Sequence, residues 1–396
     1  MPDHQTPGVF VEEIPVGPRS IASIATAIPA FIGLTAVRPE GPARFHRVGS
    51  LLDFERAFGG AVAGGYLHAS MVLFFVNGGG AAFVYALGNS ATQKPPTVRS
   101  YTAALHALKK ERGPSLILFP DAVGLGAKRL AKVQQAALDH CASERNRFCI
   151  LDVPAADALL GPERGSAQTA IEAFRSRLSG EGLAFGAVHG PWLLPVTRVG
   201  VEPVAMPASG AVAGVFARVD GQRGVWKAPA NENLNGVVGL SEHISDADQE
   251  TLNVDPVGGR SINAIRTFPG KGILIWGART LAGNDNEWRY ISVRRLFIMV
   301  EESIRQAMAF VVFEPNNAQT WGTVELMVNA YLLVLFKQGA LAGNTPKNAF
   351  FVRVGLGSTM TARDIQEGLL HIEFGLAPLR PAEFITARIT LHVEPA

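Results

Sequence analysis

Cysteine is scarce in this chain of 396 residues, which contains only Cys141 and Cys149. Two cysteines are too few for the disulfide framework that holds small secreted domains together. Their neighbours are typical of a helix end and of a buried strand, so we interpret both as free thiols of the core. The first ten residues contain no basic stretch followed by an apolar one, and export through a signal peptide is therefore not expected.

Long apolar runs and an excess of one charge are also missing. The most apolar stretch, residues 324–336, is interrupted by Glu325 and Asn329 and falls short of the roughly 20 residues that cross a bilayer. Lys and Arg total 36 against 34 Asp and Glu, without the basic stripe that nucleic-acid-binding proteins carry. We therefore expect a soluble protein that neither inserts into a membrane nor binds nucleic acid.

Motifs of catalysis, metal binding and nucleotide binding are missing as well. The sequence contains no HExxH, no paired CxxC, no GxSxG and no EF-hand loop. Gly78–Gly80 lie between a helical and an extended pattern, the reverse of the order in a phosphate-binding loop, and Gly124–Lys128 lacks the GK[ST] of a P-loop. We therefore predict no catalytic, cofactor-binding or metal-binding residues, and neither enzymatic activity nor a bound cofactor.

The pattern that is present from about residue 100 to 275 is an alternation of helical and apolar extended segments. Three helical segments each precede an extended one: 101–110 and 115–119, 128–144 and 148–153, and 167–178 and 184–188. Such alternation predicts an α/β layer with a largely parallel sheet. Residues 220–272 are rich in Gly, Pro and Asn, and we expect them to be mainly loop.

Both ends of the chain favour strands. Val9–Ile14 is rich in β-branched and aromatic residues and is flanked by Pro and Gly, which predicts a short strand that needs another sheet to join. After predicted helices at Asn286–Phe310 and Ala318–Gln338, three strands are expected. The last, Glu383–Val393, alternates apolar and polar residues as a half-buried strand does. The region after the α/β layer is therefore predicted to be α+β.

Several segments resemble, in order, those of the contractile tail sheath family. They are Thr6–Ile14 (TPGVFVEEI), Phe54–Gly60, Asn77–Gly80, Gly224–Asn231, Ile265–Gly270, Trp276–Thr280, Trp288–Tyr290, Val293–Phe297, Glu301–Ile304, Phe313–Asn317 and Ala377–Phe384. The match is densest toward the C-terminus and least specific between about residues 90 and 200. The chain also lacks the large insertions of many phage sheaths, so it is most similar to the compact sheaths of R-type bacteriocins and extracellular contractile injection systems.

The resemblance implies a structural subunit. In this family, hexameric rings of subunits stack around an inner tube, and contraction drives the tube through a target envelope. Three parts are implied: a strand arm (1–22), an outer α/β domain (23–275) and an inner α+β domain (276–396) whose sheet is completed by arms of neighbouring subunits. Implied partners are further copies, the inner tube protein, and baseplate and terminator proteins. The particle would be assembled in the bacterial cytoplasm, as a phage tail or a tail-like particle released from the cell.

The resemblance also assigns roles to residues. The inter-subunit arms would be formed by Val9, Phe10, Val11, Glu12 and Ile14 near the start of the chain and by Phe384, Ile385, Ala387, Ile389 and Leu391 near its end. Arg294 and Arg295, two basic residues beside an apolar helix face, are our hypothesis for holding the inner tube before contraction. An intramolecular ion pair with Glu301, Glu302 or another carboxylate is the alternative for both arginines.

Two other functions stay open at this point. The alternation between residues 100 and 200 is also typical of an α/β enzyme of unknown substrate, although such an enzyme would need a coherent site. A tube or baseplate component of the same kind of machine is the second alternative. Tube proteins are much shorter, and the C-terminal segments resemble sheath, so we favour the sheath.

Overall fold

The computed structural model describes residues 20–42, 44–88, 95–155, 159 and 171–383. These residues form two compact units. The larger unit contains Ser23–Glu302 together with residues 378–383, and the smaller contains Ser303–Ala377 together with residues 20–22. The division at 22/23 and 275/276 stays a prediction.

A large sheet forms the centre of the larger unit. The strands of this unit are β1 (Pro29–Gly33), β2 (His46–Val48), β3 (Ala82–Ala86), β4 (Leu116–Leu118), β5 (Phe148–Asp152), β6 (Gly186–Gly190), β7 (Leu193–Pro195), β8 (Glu232–Asn233), β9 (Val237–Leu240), β10 (Ile262–Phe268) and β11 (Gly272–Ile275). Within the described residues, nine of them pair in the order β2-β3-β1-β4-β5-β6-β10-β11-β8, while β7 and β9 form a separate pair.

The large sheet is parallel in its middle and antiparallel at its edges. Parallel pairings run from β3 through β1, β4, β5 and β6 to β10, whereas β2, β11 and β8 pair antiparallel. Strands β1, β4 and β5 are buried along their whole length, as expected for parallel strands covered on both faces. The prediction of a mixed α/β fold with a largely parallel sheet is confirmed.

Helices flank the strands of the larger unit. They are Leu51–Phe58, Leu67–Val76, Val98–Leu108, Ala127–Glu144, Ser209–Arg223, Asp246–Asn253 and Ile291–Ala307, whose residues from 303 onward are grouped with the smaller unit. Residues 171–175 are also helical, and 3₁₀ turns occupy Pro120–Leu125 and Glu181–Phe185. Cys141 and Cys149 are both buried free thiols, as the sequence indicated.

Two predictions for this unit were wrong in detail. Residues 220–272 are more regular than expected, because Ser245 caps a helix through a reciprocal pair of bonds with Asp248, and β10 is long and buried at its start. The helix expected from Asn286 begins at Ile291. Its start is delayed because the Asp285 carboxylate accepts the backbone N–H of Glu287 and Trp288 in a turn.

The smaller unit is built from helices and one small sheet. Its elements are the Met308–Val311 3₁₀ turn, the helices Ala318–Lys337, Pro346–Ala349 and Ala362–Gln366, and the strands β12 (Phe350–Val354) and β13 (Ile372–Leu376). Asn317 caps the long helix by accepting the N–H of Gln319 and Thr320. The third predicted strand, Glu383–Val393, lies outside the described residues except for Glu383.

The described part of the chain contains neither a membrane-spanning helix nor a cluster of metal ligands. No helix there has the length and apolarity to cross a membrane. No group of three or more His, Cys, Asp or Glu side chains is placed there to hold a metal ion.

Buried carboxylates hold the starts of two helices in the larger unit. Asp121 accepts the backbone N–H of Leu34, Tyr66 and Leu67, where the second helix begins. Asp152, at the end of β5, accepts the Ser209 N–H at 2.8 Å and the Ser209 hydroxyl at 2.6 Å. Burial raises the pKa of Asp121 to about 6 and that of Asp152 to about 7, although these hydrogen bonds oppose the shift.

The raised pKa of Asp152 makes stability depend on pH. Between about pH 4 and 7 the folded chain holds a proton on Asp152 that the unfolded chain releases, so the free energy of unfolding should fall as pH rises. The slope from this group is at most about 1.4 kcal/mol per pH unit. Asp152→Asn keeps an acceptor for Ser209 and should flatten the dependence in urea unfolding at pH 5 to 7.5. The exposed Asp139→Asn is the matched control, and an unchanged slope in Asp152→Asn would contradict the assignment.

Candidate assembly site

The predicted arm residues lie outside the part of the chain that the structure describes. They are Val9, Phe10, Val11, Glu12 and Ile14 near the start, and Phe384, Ile385, Ala387, Ile389 and Leu391 near the end. Their role stays a prediction. The structure therefore informs on the arms through the described residues next to them, which begin at residue 20 and end at Glu383.

Arg294 lies inside the larger unit, between two aromatic rings. Its guanidinium carbon is 4.3 Å from the ring centre of Phe185 and 4.2 Å from that of Trp288, and the side chain is 2% exposed. One of its nitrogens lies 3.5 Å from the Glu301 carboxylate. Burial lowers the pKa of Arg294 to about 10, because loss of water outweighs the attraction of Glu301.

Arg295 joins the Ile291–Ala307 helix to two segments that are distant in sequence, those that contain Asp220 and Thr26. Its guanidinium donates to both carboxylate oxygens of Asp220, at 3.1 and 2.5 Å, and to the carbonyl of Thr26 at 3.1 Å. The Thr26 hydroxyl also donates to Asp220, at 2.5 Å. Arg295 is 3% exposed and Asp220 is almost as buried. We call Thr26, Asp220 and Arg295 the Arg295 cluster.

The tube-holding hypothesis for Arg294 and Arg295 gains no support from these positions. Both side chains are buried, and both pair with carboxylates of the same unit. Both arginines form the intramolecular ion pairs of the alternative interpretation. Arg294 pairs with Glu301, which was named as a possible partner, and Arg295 pairs with Asp220. Neighbouring helical residues point in different directions, which is why two adjacent arginines meet two separate environments. The tube-holding role itself stays a prediction.

A third arginine, Arg279, which sequence reasoning did not single out, holds the segment just before the predicted C-terminal arm. Arg279 donates through Nε to both Glu383 oxygens, at 3.0 and 3.1 Å, and through Nη2 to Oε2 at 2.5 Å. The Tyr290 hydroxyl donates to the same Oε2 at 3.3 Å. The hydrogen bonds of Glu383 raise the pKa of Arg279. We call Arg279, Tyr290 and Glu383 the Arg279 cluster.

The Arg279 cluster is fixed to the large sheet through Asn263 of β10. The Arg279 N–H donates to the Asn263 side-chain oxygen at 2.8 Å, and the Asn263 amide donates back to the Arg279 carbonyl at 2.8 Å. Arg279 and Tyr290 also form an antiparallel bridge. Gly277 allows this close approach, since a Cβ there would lie 2.8 Å from Asn263.

In the smaller unit, the sheet formed by β12 and β13 is open. The strands pair antiparallel from Phe350–Leu376 to Val354–Ile372, and neither has another strand partner among the described residues. Most of their residues are partly or fully exposed, including Phe351. The outer edge of each strand therefore offers main-chain donors and acceptors to an added strand.

The Phe313–Asn317 segment of the smaller unit combines structural and exposed residues. Asn316 accepts the Trp321 indole N–H at 2.7 Å and donates to the Leu369 carbonyl at 2.9 Å. Phe313 is fully exposed, and its φ of 73° is rare for a bulky residue. The segment therefore positions the long helix and presents an aromatic ring to the outside.

Comparison with known proteins identifies the family. A family model described as the phage tail sheath protein central domain matches residues 95–281, and one for the phage tail sheath C-terminal domain matches residues 283–392. The helical sheath of the anti-feeding prophage (AFP), solved in the contracted state, is 34% identical with a TM-score of 0.75, and the alignment covers 98% of this chain and 99% of that one. The chain belongs to the phage tail sheath family.

Other relatives of this sheath family member agree. The sheath complex of PVC, an extracellular contractile injection system, also solved in the contracted state, is 32% identical with a TM-score of 0.76, over 99% of both chains. The tail sheath protein of Salmonella phage ViI is 27% identical over 209 residues, which are 53% of this chain and 32% of that protein. The chain spans about a third of the length of the curated relatives it matches.

The environment of Arg294 in this sheath family member gives a stability prediction. Arg294→Met fills similar space without a charge to bury, and Glu301 keeps Arg145 within 3.7 Å, so the free energy of unfolding should stay within about 1 kcal/mol of the original. Arg294→Lys cannot place a planar group between Phe185 and Trp288 and should lose about 1–3 kcal/mol. Guanidinium chloride unfolding measures both. A larger loss in the Met variant than in the Lys variant would show that the charge, not the stacking, matters.

Proposed function

We propose that the chain is the structural subunit of the contractile sheath of a phage-tail-like injection system. The observation that carries this proposal is the alignment over nearly the whole of both chains with the AFP and PVC sheaths, at 32–34% identity. Family membership favours a structural role over the α/β enzyme considered above. The match of residues 283–392 to a sheath C-terminal domain favours a sheath over a tube protein.

Strand addition between subunits is the proposed mode of assembly. A two-stranded sheet such as β12–β13 is marginal by itself, and its open edges accept strands by main-chain hydrogen bonds worth about 1 kcal/mol net each. The segments around Val9–Ile14 and 384–391 of neighbouring subunits have the composition of such strands. In this proposal they complete the sheet and link each subunit to its neighbours.

The proposed partners follow from that assembly. Copies of the chain form hexameric rings that stack around an inner tube, with a baseplate at one end and a terminator protein at the other. The particle is assembled in the bacterial cytoplasm and acts as a phage tail or as a tail-like particle outside the cell. Contraction needs no nucleotide in this scheme, because packed interfaces switch between discrete arrangements and the energy is stored in the extended lattice.

Removal of residues 1–20 tests the arm. The truncated chain should fold with an unchanged circular dichroism melting curve but form no long sheaths in negative-stain electron microscopy, because its strand can no longer join a neighbour. Deletion of residues 2–5 leaves Val9–Ile14 in place and is the control that should assemble normally. Long sheaths of ordinary rise and twist from the 1–20 truncation would reject the role of the N-terminal arm.

A further inference from the structure

We infer that the Arg295 and Arg279 clusters are anchors that fix the roots of the two terminal segments to the larger unit. The inference rests on the proposed function, since it concerns the arms through which subunits would be linked. Thr26 and Glu383 are then the residues at which each arm stops being part of the subunit body.

The C-terminal root is held by a charge-assisted network. Glu383 is the last residue before the predicted arm residues, which begin with Phe384. Its carboxylate receives three bonds from Arg279 and one from Tyr290, and Arg279 is only 5% exposed. Bidentate pairing of this kind fixes direction as well as position, because the planar guanidinium presents two parallel donors.

This network is attached to the core of the larger unit. Asn263 holds the backbone of Arg279 in both directions, and Asn263 itself donates to the Val188 carbonyl in β6 at 3.0 Å. A pull on Glu383 is therefore passed to β10 and β6 in the middle of the sheet. The Arg363–Glu367 pair of the smaller unit is exposed, joins two residues of one short helical segment, and serves as a contrast.

The N-terminal root is held in the same manner. Thr26 stands between the predicted arm (1–22) and β1, and both its carbonyl and its hydroxyl are engaged by the buried Arg295–Asp220 pair. Asp220 and Arg295 lie on two different helices, Ser209–Arg223 and Ile291–Ala307. The chain thus enters the body of the subunit at a point fixed by two elements rather than by one.

Anchored roots give the arms a defined mechanical role. If the roots were loose, rotation of the larger unit would be absorbed by peeling of the terminal segments. With Thr26 and Glu383 fixed, a rotation of the larger unit is instead transmitted through the arm to the sheet of the neighbouring subunit that the arm has joined.

Glu383→Gln tests the C-terminal anchor in the full-length chain. The amide keeps the shape of the carboxylate but loses the charge, so the peptide covering residues 378–383 should exchange its backbone hydrogens at least tenfold faster in the free subunit. Sheaths assembled from it should be less than half as long, with the melting temperature unchanged. Glu367→Gln, which removes the carboxylate of the exposed Arg363 pair, is the matched control and should behave as the original chain.

Several outcomes would overturn the C-terminal anchor. One is that Glu383→Gln forms sheaths of full length and its backbone hydrogens exchange at the original rate. Another is that exchange becomes faster across the whole larger unit, which would mean that Glu383 merely stabilises the fold. Glu383→Asp provides a second variant, since it keeps the charge and loses the bidentate geometry. Its exchange rate and sheath length should fall between those of the original chain and those of Glu383→Gln. If the unaltered chain forms no sheaths, the proposed function fails, whereas exchange in the free subunit still decides whether Glu383 holds the segment.

Thr26→Val tests the N-terminal anchor separately. It removes the hydroxyl that donates to Asp220 and leaves the carbonyl that accepts from Arg295, so a two- to fivefold faster exchange of residues 23–28 and shorter sheaths are expected. Thr102→Val removes a hydroxyl that donates to the Arg99 carbonyl on an exposed helix face and is the control. Identical exchange and sheath length in the two variants would reject the N-terminal anchor.

Discussion

The ion pair between Asp220 and Arg295 sets constraints that much of the larger unit must satisfy. Two opposite charges are removed from water there, and such burial is tolerated only when every donor and acceptor is matched. The Thr26 carbonyl accepts a further N–H of Arg295, and the Phe216 ring centre lies 4.7 Å from the guanidinium carbon. The segment around Thr26, the Ser209–Arg223 helix and the Ile291–Ala307 helix therefore have to meet at one point.

Much of the secondary structure could be predicted from local signals, and the charged clusters could not. Ala318–Lys337 and Ala127–Glu144 differ by only one residue at one end from their predicted limits, because caps and glycines mark where helices end. The partner of Arg295, in contrast, lies 75 residues away and that of Arg279 lies 104 away. No local pattern reports such separations, which is why Asp220 was not foreseen as the partner of Arg295 and Arg279 suggested no role, whereas Glu301, close to Arg294 in sequence, was named as a possible partner.

The segments that identify the family are not the segments that form the core of the large sheet. Sequence similarity to sheaths was least specific between about residues 90 and 200, yet the central-domain family model covers 95–281 and this region supplies β4, β5 and β6 of the large sheet. Buried strands such as Leu116–Leu118 are short runs of interchangeable apolar residues, so they specify a core without identifying a family. The more distinctive segments Trp276–Thr280 and Ala377–Phe384 contain Arg279 and Glu383, the ion pair of the Arg279 cluster.

The open sheet of β12 and β13 has a consequence for the ends of a filament. In the proposed assembly, an interior subunit has its small sheet completed by strands from neighbours, whereas a subunit in a terminal ring lacks some of those strands. Terminal rings would then be the least stable part of the sheath, and loss of subunits would begin there rather than along the wall. A protein that covers the last ring would protect the whole length by supplying the missing strands, so the length of a sheath would be limited by events at two boundaries and not by the strength of its interior.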